Sequence, residues 1–182
     1  MTLTVLLGGA RSGKSRLAVD IGRGWDGDVT FVATAEARDA DMRVRIARHR
    51  EARPDSWRLI VEPSELAEVD ALAPERDELV IVDCLPLWLS NLLELGCSDA
   101  EVRERSAALA RLTRDRVGPV LVVTNEVGLG IVPATPLGRR FRDLLGAVNQ
   151  SFVAAADEGA FFVVAGRPLR LPAASLDDVL TR

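Results

Sequence analysis

Lysine is almost absent from this chain. Of the 23 basic residues among 182, only Lys14 is a lysine and the rest are arginine. Histidine occurs once, as His49, and tyrosine not at all; three tryptophans and five phenylalanines complete the aromatic residues. So few rings argue against a surface on which successive nucleic-acid bases stack. With two cysteines, Cys84 and Cys97, no disulfide framework is available, and both read as buried thiols. No apolar run reaches the length of a membrane span, and the opening "MTLTVLLGGA" lacks the basic start of a secretory signal. A cytoplasmic location is the expectation. Net charge is −4, so the surface as a whole offers polyanions no attractive field.

The chain is long enough for one compact domain, and residues 1–182 are read as such. Apolar, β-branched runs at 3–7, 29–33, 59–61, 78–83, 119–124 and 160–165 read as strands. They are nearly continuous in hydrophobicity, the mark of strands covered on both faces. Helical patterns lie between them at about 14–23, 37–52, 64–71, 86–95, 98–116 and 137–156. Ser98 with Glu101 makes a capping box for the fifth of these. The alternation calls for an α/β fold, a mostly parallel sheet with helices on both faces.

The lone lysine has a chemical reason. "GGARSGKS" (8–15) follows the first strand and opens the first helix, with Gly8, Gly13, Lys14 and Ser15 at the spacing of a phosphate-binding P-loop. Glycines let backbone N–H groups turn inward around phosphate oxygens, and the following helix adds its positive end. Lys14, a compact charge, can reach the β- and γ-phosphates, while the Ser15 hydroxyl can ligate Mg²⁺. An arginine fork fits such a loop poorly. Such a site needs a carboxylate for its metal, and Asp83 ends the apolar strand "ELVIVD". Glu126, after "VVTN", is a second carboxylate at a strand's C-terminal end, either in the ligand site or capping the next segment. "VGLGIVPATP" (127–136) reads as a mobile substrate-contact loop or as a buried turn.

Residues 38–58 carry seven arginines around His49. On a helix, Arg45 and Arg53 stand four residues either side of it. Nearby positive charge disfavours imidazolium and so favours a neutral, nucleophilic ring.

Together, "GGARSGKS", "RIARHREARPDSW", "DCLPLWLSNLL", "TNEVGLGIVP" and "RRFRDLLGAVNQ" make the chain resemble, almost end to end, the bifunctional adenosylcobinamide kinase/adenosylcobinamide-phosphate guanylyltransferases of cobalamin biosynthesis. That resemblance implies a RecA-like P-loop NTPase domain assembled as a homotrimer. It implies phosphorylation of adenosylcobinamide by ATP or GTP. Transfer of GMP from GTP to the new phosphate follows, through a guanylylated histidine, releasing pyrophosphate. By the same resemblance His49 carries the GMP. The nucleotide is held by Gly8, Gly9, Ala10, Arg11, Ser12, Gly13, Lys14 and Ser15, by Ala33, Thr34 and Ala35, by Arg50, Glu51, Ala52 and Arg53, and by Glu62 and Asp83. Ser15 and Asp83 would bind Mg²⁺. The partners expected are adenosylcobinamide, its phosphate and the nucleotides, with no nucleic acid. Pro86 stands where that pattern has a threonine. A plain small-molecule kinase without the histidine step, and a P-loop module acting on nucleic acid or protein, are the alternatives.

Overall fold

The computed structural model describes residues 3–37, 40–156 and 159–172, without the side chains of Asp41, Met42, Arg45, Arg48 and His49. Among the described residues seven strands form one sheet: β1 (Leu3–Leu7), β2 (Val29–Ala33), β3 (Arg58–Val61), β4 (Leu79–Asp83), β5 (Val120–Val123), β6 (Ala160–Val164) and β7 (Arg167–Arg170). Their order across the sheet is β3-β2-β4-β5-β1-β6-β7, and every pairing but β6–β7 is parallel. The helices are α1 (Lys14–Arg23), α2 (Ala40–Glu51), α3 (Leu85–Glu94), α4 (Asp99–Asp115) and α5 (Pro136–Ala155).

Successive residues of β1 explain why its sequence is apolar but for Thr4. Val5 belongs to a core shared with α3, α4 and α5, whereas Leu6 belongs to the core under α1. Neither face is wet, so alternation has nothing to gain. Trp88, Leu89 and Leu92 bury one face of α3, each side chain contributing about 1.5–3 kcal/mol. Ser98 and Glu101 form the expected capping box of α4, with Ser98 N–H donating to the Glu101 carboxylate at 2.7 Å. Pro86 falls in the first turn of α3, where a missing N–H costs nothing. Arg116, fully buried, donates to the carbonyls of Ala71 and Glu78 and pairs with the Glu78 carboxylate at 3.2 Å. It ties the segment before β4 to the start of β5.

Four sequence expectations are corrected. The strand at 59–61 is an edge strand, with Leu59 and Val61 42% and 57% exposed, so it is not covered on both faces. The helix expected at 64–71 is two 3₁₀ turns, Leu66–Glu68 and Asp70–Leu72, interrupted by extended backbone at Val69. "RPLR" forms β7, which went unrecognised because two arginines and a proline fill three of the four positions of a fully exposed strand. Cys84 and Cys97 are free but half-buried.

The register aligns the strand ends. Val61, Ala33, Asp83 and Val123 sit side by side, with Leu6 opposite Val123. The residues that follow therefore emerge in a row along the carboxyl edge of the sheet, where open parallel sheets bind ligands.

Candidate active site

At the centre of that row the chain leaves β1 and loops into α1. Gly8 has φ 153°, and a Cβ there would collide with the Val163 carbonyl of β6. Gly13 has φ 101° and would place a Cβ 3.0 Å from Gly166. Only glycine fits either position. The turn between β6 and β7 braces the loop, the Gly166 N–H donating to the Ser12 carbonyl at 2.7 Å. The N-cap residue of α1, Gly13, has no side chain to cap it, which leaves the first N–H groups turned toward the loop.

Lys14 folds back inside this cradle. Its ammonium donates to the carbonyls of Gly8 (2.8 Å) and Gly9 (2.7 Å) and to the Ser12 hydroxyl (3.3 Å). Burial lowers its pKa from the ordinary lysine value, opposed by Cys84 and Asp83. A buried ammonium bonded only to neutral oxygens is suited to an anionic partner. Ser15 meets Asp83 directly, hydroxyl to carboxylate at 3.3 Å. Those two hard oxygen groups suit Mg²⁺.

Two further strand ends, those of β2 and β3, carry Ala33, Thr34, Ala35 and Glu62. The Thr34 hydroxyl accepts from the Cys84 N–H (2.9 Å) and donates to the Cys84 carbonyl (2.8 Å), locking the end of β2 to that of β4. Ala33 accepts from the Glu62 N–H at 3.0 Å. One Glu62 oxygen accepts from the N–H groups of Ser64 (2.9 Å) and Glu65 (2.8 Å), so this carboxylate shapes its own turn. Buried Asn91 on α3 donates to the carbonyls of Thr34 (2.9 Å) and Pro63 (2.8 Å), clamping both loops.

Arg53 lies over the Phe31 ring, 4.1 Å from its centroid, within the field of Asp83. Burial lowers its pKa, and Asp83 opposes that shift. A cavity of about 350 Å³ beside Ser15 and Asp83 is lined also by Phe31, Ala52 and Arg23. Ala35 is half-buried at the rim, whereas Arg50 and Glu51 are exposed on α2. Ala10 and Arg11 are exposed at the loop tip and Arg11 has positive φ. The side chains of His49 and Arg45 lie outside the described residues.

Between the P-loop and Asp83, Thr124 follows β5 and donates to the buried Asn149 carbonyl oxygen at 2.6 Å. Glu126 donates its backbone N–H to Gly8 at 3.1 Å, and one carboxylate oxygen accepts from Gly128 N–H. Leu129, Ile131 and Val132 are 79%, 96% and 66% exposed, so the loop after Glu126 is not a buried turn. Sequence reasoning missed Asn91 and Asn149. Asn91 is a lone amide in the apolar helix stretch "LSNLL", and that isolation was the available signal, whereas Asn149, beside Gln150, carried none.

The parallel sheet, the glycine-shaped anion cradle and the Ser15–Asp83 pair define a P-loop nucleotide-binding protein. A solved structure described as a prototypical ATPase from the type III secretion system of pathogenic bacteria shares this fold. The two superpose with a TM-score of 0.50 at 13% identity, over 88% of this chain and 50% of that one.

Within that class, residues 4–171 match the family described as cobinamide kinase / cobinamide phosphate guanyltransferase, and the chain belongs to it. It is 42% identical to the bifunctional adenosylcobalamin biosynthesis protein CobP of Pseudomonas aeruginosa, over 92% of this chain and 95% of that protein. It is 36% identical to the bifunctional adenosylcobalamin biosynthesis protein CobU of Escherichia coli, over 90% and 96%. Among the described residues no helix is long and apolar enough to cross a membrane.

Proposed function

We propose that this protein carries out both reactions of its family on one phosphate site. It phosphorylates the hydroxyl of adenosylcobinamide with ATP or GTP. It then moves GMP from GTP onto the new phosphate through His49. The observation that carries this reading is Lys14 held inside the loop with Ser15 against Asp83, in a chain long enough for only one such site.

In the first step the substrate hydroxyl attacks the γ-phosphorus and the nucleoside diphosphate leaves. Lys14 and the N–H groups around Gly8–Ser15 orient the phosphates and meet the developing charge. Ser15 and Asp83 would hold Mg²⁺, which when bound neutralises charge on the phosphate oxygens. In the second reaction a neutral His49 nitrogen attacks the α-phosphorus, and pyrophosphate departs with the bonding electrons. An oxygen of cobinamide phosphate then attacks the same phosphorus and regenerates the imidazole.

Ala33, Thr34, Ala35, Glu62, Arg50, Glu51, Ala52 and Arg53 complete the guanine nucleotide site in this reading. The clamp of Asn91 on the Thr34 and Pro63 carbonyls supports a preformed site there. The exposed apolar loop around Leu129 and Ile131 receives the corrinoid. A homotrimer is the assembly proposed. The test is to supply the purified protein with cobinamide and nucleotide and to weigh the products. Cobinamide phosphate should form with either nucleotide, and GDP-cobinamide with pyrophosphate from GTP alone. Phosphate formation without any GDP-cobinamide would leave only a kinase.

A further inference from the structure

We propose that Glu126 is the general base of the phosphoryl-transfer step and has no part in guanylyl transfer. The proposal rests on the kinase reading above. β5 lies between β1, which carries the P-loop, and β4, which carries Asp83. Whatever follows β5 therefore emerges between the phosphate cradle and the metal-site carboxylate. Glu126 donates its N–H to the Gly8 carbonyl, the same oxygen that accepts from the Lys14 ammonium. One carbonyl thus joins this residue's backbone to the group that meets the transferred phosphate.

The approach to Glu126 is fixed from below. Thr124 donates to Asn149 at 2.6 Å, and the Asn149 amide donates to the Asn125 carbonyl at 2.9 Å. Thr124 and Asn149 are 0% and 4% exposed. A buried polar pair at this depth specifies one course for the chain, because any other course leaves its groups unpaired. The Glu126 carboxylate is then turned by a hydrogen bond from the Gly128 N–H, and a Cβ at Gly128 would stand 2.9 Å from that oxygen. Of the other strand-end carboxylates at this edge, Asp83 bonds the Ser15 hydroxyl, and Glu62 follows β3, four strand positions from β1. The apolar surface of Leu129, Ile131 and Val132 begins three residues beyond Glu126.

The two reactions make different demands on a base. In the first, the acceptor is an alcohol: its oxygen bonds to the γ-phosphorus, the bond to the β-bridging oxygen breaks, and the hydroxyl proton passes to Glu126. Glu126 returns that proton to water. In the second, the acceptor is a phosphate whose second pKa is about 6, already ionised at neutral pH. It has no proton to lose.

Glu126→Gln keeps an oxygen for the Gly128 N–H but cannot take a proton. It should lower cobinamide phosphorylation about 10²–10⁴-fold. It should still incorporate label from α-labelled GTP, and pass it to synthetic cobinamide phosphate, at the wild-type rate. Glu126→Asp, a carboxylate at shorter reach, should recover part of the kinase rate. Near-wild-type phosphorylation by Glu126→Gln, or equal loss of both steps in either variant, overturns the assignment alone. Failure of the wild-type protein to phosphorylate cobinamide overturns the kinase reading and this assignment with it.

Discussion

At the scale of single residues, Lys14 bears the heaviest demand. It is the sole lysine, it is buried, and its partners in the loop are all neutral oxygens. If one cradle serves both reactions, Lys14→Ala should lower each by at least about 10²-fold, the usual cost of one preorganised charge-stabilising donor. Lys14→Arg should not rescue either, since a planar fork cannot fold onto the Gly8 and Gly9 carbonyls. Parallel kinase and guanylyl-transfer assays check this; a variant that loses one reaction and keeps the other has two phosphate sites. Gly8, Lys14, Ser15 and Asp83 were legible in the sequence because their spacing reflects local backbone geometry and strand-end placement. Asn91 and Asn149 were not, because their partners lie 57 and 25 residues away in sequence, at Thr34 and Thr124. Periodicity carries no record of such contacts.

At the scale of elements, the contrast between strands is instructive. β1, β2, β4 and β5 announced themselves because both faces are largely buried and nearly every residue is apolar, Thr4, Thr30 and the strand-ending Asp83 excepted. β3 and β7 lie at the two sheet edges, where burial no longer dictates composition. β7 nevertheless matters to the site, since its turn holds the P-loop through Gly166 and Ser12. The loop after Glu126 has the opposite character, with apolar side chains turned to solvent before Thr135 caps α5 by accepting from Gly138 N–H. Surface substitutions there carry little stability cost. Leu129→Ser with Ile131→Ser should leave the melting temperature within a few degrees of wild type, with about ±0.5 kcal/mol for each change. The pair should raise KM for cobinamide about tenfold or more, the loss expected when an apolar contact of roughly 1.5–3 kcal/mol goes. KM for GTP should not move. An unchanged cobinamide KM would show that the loop does not touch the corrinoid.

For the molecule as a whole, the acidic balance and the local arginine density fit together. A net charge of −4 repels polyanions generally, while Arg53 and Lys14 concentrate positive charge beside Asp83 at one edge of the sheet. The fold class was legible because α/β alternation is a global pattern, and membership in the family confirms the reading of the long motifs. Covalent labelling reads the step through His49 itself. The protein is incubated with GTP labelled at the α- or the γ-phosphate, denatured, and counted. The α-label should be retained and the γ-label lost, the bond should be acid-labile, and cobinamide phosphate should discharge the label to GDP-cobinamide. His49→Asn should not label, while keeping the kinase step. Retention of α-label by His49→Asn, or GMP transfer by a wild-type protein that never labels, would contradict a step through His49.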